Sequence, residues 1–314
     1  MDFSALIGHK DMLSPGTPEI GRLRAEAERF LRQIDAQEGL QTQKVIPLPA
    51  GMWNALFRLE PAGVVVKLSV GNNDFEVNFL REAGALGLPA PKIFGAGKLD
   101  DESLPNVTYF LMSYVPNSEN AWGFVHTGMT SEETEQLGRD LGRALARLHS
   151  VHRGYVTRLG TRVETWRQCI TDGFSPDWDN IAPNALFDAE LLSIFERILD
   201  ETEYMSFRDG SFVHGDLVLS NVLVDAESHR LSAIIDPAGY AGMPMFDLAY
   251  AAMPWDHGDA FSEAIVESYQ QHSDKFDPAL FHTSTLVVAY RHERFHTPAV
   301  RKDIFEKILP KLGL

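Results

Sequence analysis

Apolar residues recur at helical spacing between Glu19 and Ala36, where Ile20, Leu23, Ala27, Phe30, Leu31 and Ile34 share one side, so the pattern predicts an amphipathic helix over 19–36. The period then changes. Lys44 to Leu48, Ala55 to Glu60 and Gly63 to Val70 are short runs rich in β-branched and aromatic residues, separated by Pro and Gly, as in an antiparallel meander. Asp74 to Leu86 returns to a helical pattern with Phe75, Phe79, Ala83 and Leu86 as its expected buried face. Val107 to Tyr114 reads as another strand, stopped by Val115-Pro116-Asn117.

Beyond Pro116 the pattern is mostly helical. Thr130-Ser131-Glu132-Glu133 offers a capping box, followed by Leu137, Leu141, Leu145 and Leu148 at helical spacing. Arg162 to Ile170, Asp188 to Thr202, Ala260 to His272, Pro278 to Tyr290 and Arg301 to Leu309 are further expected helices, and Leu231 to Ile235 is a short apolar run within a small hairpin. Strands with a helix, then helices around a hairpin, predict an α+β protein of two lobes, residues 1–115 and 116–314.

Composition narrows the partners more than the fold. A net charge of −16, of which roughly −11 lies beyond residue 150, argues against nucleic acid and anionic membranes; solubility alone is the plainer reading of it, and attraction of a cationic small molecule the other. Cys169 is the only cysteine, so no intramolecular disulfide is available. No apolar stretch is long enough to span a bilayer, and Met1 to Leu13 lacks the basic and apolar regions of a signal peptide, so a cytoplasmic protein is expected.

The chemistry concentrates in Phe212-Val213-His214-Gly215-Asp216-Leu217-Val218-Leu219-Ser220-Asn221, with Asp236 at the end of the next apolar run. Two carboxylates and an amide at strand ends suit phosphoryl transfer: one Asp orients and deprotonates a hydroxyl, while the Asn and the other Asp hold Mg2+. His214 and His149 are expected to be structural, holding backbone by hydrogen bonds. Lys67 interrupts the apolar run Val64-Val65-Val66-Lys67-Leu68, so it either snorkels at an edge or points to a polar site.

These residues resemble the aminoglycoside phosphotransferases and the wider choline, fructosamine and homoserine kinase set with a bilobal protein-kinase-like fold. Leu111-Met112-Ser113-Tyr114, Leu148-His149-Ser150, the His214 to Asn221 loop, Ile235-Asp236 and Asp247-Leu248-Ala249 carry the likeness over roughly residues 44–255. Gly242-Met243-Pro244 departs from the Gly-Asp-Pro usual there, with an altered structural hydrogen bond as the expected consequence. The resemblance implies Asp216 as catalytic base, with Asn221 and Asp236 as Mg2+ ligands. It implies Lys67 on the α- and β-phosphates of ATP (GTP being the alternative), paired with a helix glutamate. Glu76 is favoured over Glu82 by its spacing from Pro91. Gly51-Met52-Trp53-Asn54 would cover the phosphates, with Gly51 and Asn54 as cofactor contacts and Trp53 over nucleotide or substrate. Ser113 and Val115 would meet the adenine through their backbone.

The implied reaction transfers a phosphoryl group to a hydroxyl of a small polar molecule. An aminoglycoside-like acceptor comes first and a choline, homoserine or fructosamine-type metabolite second. A catalytically silent nucleotide-binding module is the alternative from another class. Asp172, Asp177, Asp179, Asp256 and Asp259, with Trp178 and Trp255 nearby, are the candidates for an aminated acceptor.

Overall fold

The computed structural model describes residues 18–49, 54–158, 160–171, 193, 202–253, 258–292 and 310. The chain divides into two compact units, one of Met1–Ala85 with Ala90–Pro116, the other of Leu86–Pro89 with Asn117–Leu314.

In the first unit the expected leading helix is two helices, α1 (Pro18–Ala25) and α2 (Ala27–Glu38). Glu26 between them leaves helical geometry at φ −101°, ψ 9°, and the ladder tightens there, with Arg29 N donating to Glu26 O at 3.0 Å. The six residues expected on the inner face are all buried. Gly39 closes α2 in the left-handed region at φ 66°, where its amide reaches Asp35 O.

The strands β1 (Lys44–Leu48), β2 (Asn54–Glu60), β3 (Val64–Val70), β4 (Ile93–Leu99) and β5 (Val107–Ser113) form an antiparallel five-stranded sheet in the order β1-β2-β3-β5-β4. Strand β3 is central and buried from Val64 to Ser69, which explains why it reads as a continuous apolar run and not as an alternation. Strand β4 has no strand signature in the sequence because Gly95 and Gly97 imitate a loop. A Cβ on Gly97 would lie 2.7 Å from the Tyr109 hydroxyl, so the Tyr109 ring covers the glycine and supplies the packing that Gly97 lacks.

Helix α3 (Asp74–Ala85) buries Glu76, Val77, Phe79, Leu80 and Ala83. Of the expected face, Phe79 and Ala83 are buried, whereas Phe75 and Leu86 are only half-buried and the helix turns Glu76 inward toward Lys67.

The second unit opens with β6 (Ser118–Asn120), α4 (Ala121–Thr127) and α5 (Ser131–His149). The capping box forms as expected, Glu133 N donating to Thr130 Oγ1 and Thr130 N to Glu133 Oε2. Strands β7 (Val156–Arg158) and β8 (Thr161–Val163) make a hairpin, so the helix expected from Arg162 starts later, as α6 (Trp166–Thr171). Its start is marked by Thr165 and Gln168, whose Oε1 accepts the amides of Glu164 and Thr165, a second capping pattern in the sequence. A short α7 (Thr202–Met205) precedes β9 (Ser211–Phe212); apart from positions 193 and 202, the helix expected over 188–202 lies outside the described residues, as does that over 301–309.

Strands β10 (Val222–Asp225) and β11 (Leu231–Ile234) form a hairpin extended by β6, while β12 (Ala241–Gly242) pairs with β9. Helices α8 (Pro244–Ala251), α9 (Gly258–His272) and α10 (Pro278–His292) complete the described chain. Among the described residues no helix is long and apolar enough to cross a membrane.

Helices α5 and α9 pack at backbone distance because α5 presents Gly138 and Gly142 one turn apart. A Cβ on Gly142 would stand 2.3 Å from Ile265 O and 3.0 Å from Tyr269 N. Gly142→Ala is therefore expected to cost about 1–3 kcal/mol by forcing the helices apart. Gly84→Ala in α3, where a Cβ meets nothing within 4 Å, is expected to gain up to about 1 kcal/mol from helix propensity. Denaturant titration of the two variants checks the contrast.

Candidate active site

In the first unit, Lys67 stands in the buried centre of β3. Its Nζ donates to Glu76 Oε1 at 2.7 Å and Oε2 at 2.9 Å, and both side chains are 6% exposed. The pair joins the central strand to α3. Of the two glutamates considered, the lysine reaches Glu76, while Glu82 is half-buried two turns further along α3. A desolvated ammonium held by a bidentate carboxylate is fixed in place rather than sweeping through solvent.

Asn54 begins β2, opposite Ser69, and is buried; its backbone carbonyl accepts from Arg24, and its Oδ1 finds no hydrogen-bond partner among the described residues. Gly51 and Trp53 lie outside the described residues. Ser113 ends β5, where its amide donates to Lys92 O at 2.8 Å and its Oγ accepts from Lys92 N at 2.9 Å; Val115 follows, half-buried.

In the second unit the loop after β9 is held from three sides. Gly215 lies in the left-handed region at φ 82°, and a Cβ there would meet Gly239 N at 2.5 Å, so glycine is required both for backbone shape and for space. The amides of Ala238 and Gly239 donate to His214 O at 3.0 and 2.7 Å, which straps the segment after Asp236 onto the loop. His214 is fully buried. Its Nε2 sits 3.0 Å from Ile235 O and must carry the proton there, while Nδ1 accepts from Asp216 N at 3.3 Å. Those partners assign a neutral imidazole, and burial pushes its pKa down in the same sense.

Asn221 closes the loop. Its Nδ2 donates to Asp216 O at 2.8 Å and to Asp216 Oδ2 at 3.1 Å, and its backbone carbonyl accepts from Ile235 N at 3.0 Å. That last bond places Asp236, the next residue, beside Asn221. Asp236 takes a left-handed φ of 59°, a conformation that Asp tolerates better than most residues. The Asn221 amide nitrogen is committed to Asp216, so Oδ1 is the donor atom left for a cation.

One carboxylate, which the sequence marks only as part of the family likeness and without a role, organises this region. Asp247, in the first turn of α8, is buried. Its Oδ2 accepts from His214 N at 2.8 Å and its Oδ1 from Gly215 N at 2.7 Å, while His149 Nε2 lies 3.0 Å from Oδ2. Burial alone pushes the Asp247 carboxyl up, but the His149 bond, the nearby imidazoles and the His214 amide outweigh it and hold the group below the usual carboxylate range. A lone Asp in Met245-Phe246-Asp247-Leu248-Ala249 was the available signal, since a carboxylate on an apolar helix needs buried donors. Met243, at the departure from Gly-Asp-Pro, stands at the N-cap of α8 without a side-chain cap bond, its sulfur 3.7 Å from Ser284 Oγ.

Of the expected acceptor-binding acids, Asp259 is exposed in the first turn of α9; Asp172, Asp177, Asp179, Asp256, Trp178 and Trp255 lie outside the described residues. Among the described residues no group of three His, Cys, Asp or Glu side chains is placed to hold a metal.

Asp247→Asn leaves one oxygen for two amides and a ring nitrogen, and an expected loss of about 2–3 kcal/mol in a denaturant titration at neutral pH. The sign with pH follows from the lowered folded value. The contribution of Asp247 is complete above the ordinary carboxylate value of 3.8 and is lost as pH falls through the folded one. Wild-type stability therefore declines at acid pH, and the variant lacks that component of the decline.

The chain matches the model of the phosphotransferase enzyme family over residues 55–280. Among solved structures, it is similar to a choline/ethanolamine kinase family protein from Mesorhizobium loti (15% identity, TM-score 0.59, covering 93% of this chain and 97% of that one). It is also similar to a thermostable mutant of the aminoglycoside phosphotransferase APH(4)-Ia in ternary complex with AMP-PNP and hygromycin B (17%, 0.61, 92% and 99%). A third likeness is to the GDP and kanamycin complex of APH(2")-IIia (16%, 0.61, 91% and 97%). These likenesses carry the protein-kinase-like α+β fold.

Proposed function

The chain belongs to the phosphotransferase enzyme family, whose members of this fold are small-molecule kinases, and from that premise we propose that it transfers the γ-phosphoryl group of ATP, with Mg2+, to a hydroxyl of a small polar acceptor. The observation that carries this reading is the strapped loop of the second unit. It ties Asp216 to Asn221 through Nδ2 and ties Ile235, the residue before Asp236, to the Asn221 carbonyl.

The donor set suits Mg2+. Asn221 Oδ1 and the Asp236 carboxylate are hard oxygen donors, and two protein ligands leave the remaining octahedral positions for phosphate oxygens and water, the usual habit of this ion. When bound, the ion neutralises charge on the transferring phosphoryl group. Asn221 and Asp236 would hold it. Lys67, fixed by Glu76, takes the α- and β-phosphates. Asn54 would contribute its buried Oδ1 to the phosphates, with Gly51 as a further contact, and the backbone of Ser113 and Val115 would meet the purine. GTP in place of ATP is compatible with backbone contacts of this kind, as the GDP complex of a neighbour illustrates for that protein.

Asp216 aligns the acceptor hydroxyl and receives its proton as the oxygen–phosphorus bond forms. Asn221 Nδ2 fixes one of its carboxylate oxygens, so the base is oriented before the acceptor arrives. An aminoglycoside-like acceptor accords with the hygromycin B and kanamycin found in two neighbours and with the net charge of −16, which draws polycations. A choline-type acceptor shares that cationic chemistry and is the second reading, favoured by the choline/ethanolamine kinase neighbour.

ADP release is measured with ATP and Mg2+ across hydroxylated amines, aminoglycosides and choline among them. Acceptor-dependent turnover is expected in the wild type and a loss of about 10²–10⁴-fold in Asp216→Ala, with nucleotide affinity retained. A wild type that binds nucleotide but turns over no acceptor would identify a silent module instead. Asp236→Asn keeps a residue tolerant of the left-handed φ and is expected to fold normally while requiring much more Mg2+ for half-maximal rate.

A further inference from the structure

Asp247 does not stand alone behind the loop. On its far side His149, the last residue of α5, is fully buried, and its second ring nitrogen, Nδ1, lies 3.0 Å from the hydroxyl of Tyr269 in α9. The Tyr269 ring is itself fully buried and meets the imidazole edge-on, with ring centroids 5.5 Å apart. Nothing in the phosphoryl-transfer reading uses this phenol, yet it sits at the end of an unbroken series of hydrogen bonds. The series runs from Tyr269 to His149, from His149 to Asp247, and from Asp247 to the amides of His214 and Gly215, next to Asp216.

The direction of each bond can be worked out. Ionised Asp247 only accepts, so His149 Nε2 carries a proton toward it. In a ring that carries its proton at Nε2, Nδ1 is an acceptor, and the Tyr269 hydroxyl 3.0 Å away is the donor that faces it. Burial pushes the Tyr269 hydroxyl up to about 12, so it keeps that proton throughout the working range. The imidazole is therefore held at both nitrogens, and its ring plane is fixed.

The sequence builds this reach deliberately close. Gly138 and Gly142 on α5 admit the backbone of α9: a Cβ on Gly138 would meet Phe261 O at 2.8 Å, and one on Gly142 the Ser268 Cβ at 2.9 Å. Ser268 Oγ then donates to Arg139 O at 2.7 Å. Two turns beyond Gly142 the same face ends at His149. Lys275, just past α9, donates through Nζ to His149 O at 2.9 Å and to Ser211 Oγ at 3.2 Å, tying the end of α5 to the strand that enters the loop.

We propose that Tyr269 is a positioning residue for the phosphoryl-transfer step. Through its hydroxyl it fixes the His149 ring, the ring fixes Asp247, and Asp247 sets the backbone from which Asp216 projects. The proposal rests on the kinase reading for its kinetic consequence, but its structural half stands independently. Helix α9 is thus wired to the base by side-chain hydrogen bonds as well as by packing.

Tyr269→Phe removes the hydroxyl and keeps the ring. In the full-length protein it is expected to lower kcat roughly tenfold while leaving KM for ATP within about twofold, because the base is misaligned and the Lys67 site is untouched. In a His149→Gln background the same change is expected to cost nothing further, since the hydroxyl acts only through the imidazole. Independently of turnover, amide hydrogen exchange at His214 and Gly215 is expected to accelerate in Tyr269→Phe, with protection of the first-unit sheet unchanged. Wild-type kcat and wild-type protection in Tyr269→Phe overturn the proposal. So does a loss that is additive with His149→Gln, or exchange that quickens equally everywhere, which would mark a packing role only. If the wild type transfers phosphate to no acceptor, the kinase reading fails, and the exchange arm still decides whether the hydroxyl holds the loop.

Discussion

A buried carboxylate is costly unless donors surround it, and Asp247 turns that cost into a constraint on the whole second unit. Its oxygens accept from two consecutive backbone amides and stand within reach of an imidazole. Backbone N–H groups at the tight turn of His214 and Gly215 would otherwise be stranded away from water. Removing the acceptor therefore exposes two orphan donors and a buried ring at once. The loop adopts its shape because this one group satisfies them together, and the shape carries Asp216 and Asn221 with it. The glycines follow from the same demand: the Gly239 backbone leaves no room for a Cβ on Gly215, and a Cβ on Gly239 would be tight against Gly215 and Val213.

Much of this was legible in the sequence, for identifiable reasons. The helical stripe of Ile20 to Ile34 and the apolar run around Lys67 are local patterns whose period reports burial directly. The segment His214 to Asn221 is legible because its function compresses several demands into a few residues. What stayed hidden depends on distant partners. Strand β4 needs Tyr109 to cover Gly97, and no local pattern announces that ring. The inward turn of Glu76, in place of Phe75, reflects a contact with another element. The strand at Thr161–Val163 is set by its hairpin partner, which outweighs the helical spacing that follows it. Asp247 was visible as a carboxylate among apolar neighbours, but its donors come from α5 and from the loop more than thirty positions away.

The two units divide the chemistry by its physical needs. Under the proposed function Lys67 needs rigidity, and the central strand of a five-stranded sheet with a buried glutamate supplies it. The proposed base and metal ligands need mutual register, and a strapped loop beside a hairpin supplies that through short backbone bonds. Specificity for an acceptor needs neither, and acidity spread over the surface can draw a polycation before any pocket selects it.

The most direct measurement is a crystal structure of the full chain with Mg2+ and AMP-PNP. The account predicts a metal ion coordinated by Asn221 Oδ1 and an Asp236 carboxylate oxygen at about 2.0–2.1 Å, with phosphate oxygens and water completing the octahedron. It also predicts Asp216 within hydrogen-bonding reach of the space beyond the γ-phosphate, with its Asn221 bond intact. An ion held by other residues, or a nucleotide whose phosphates lie away from the loop that Asp247 anchors, would contradict it.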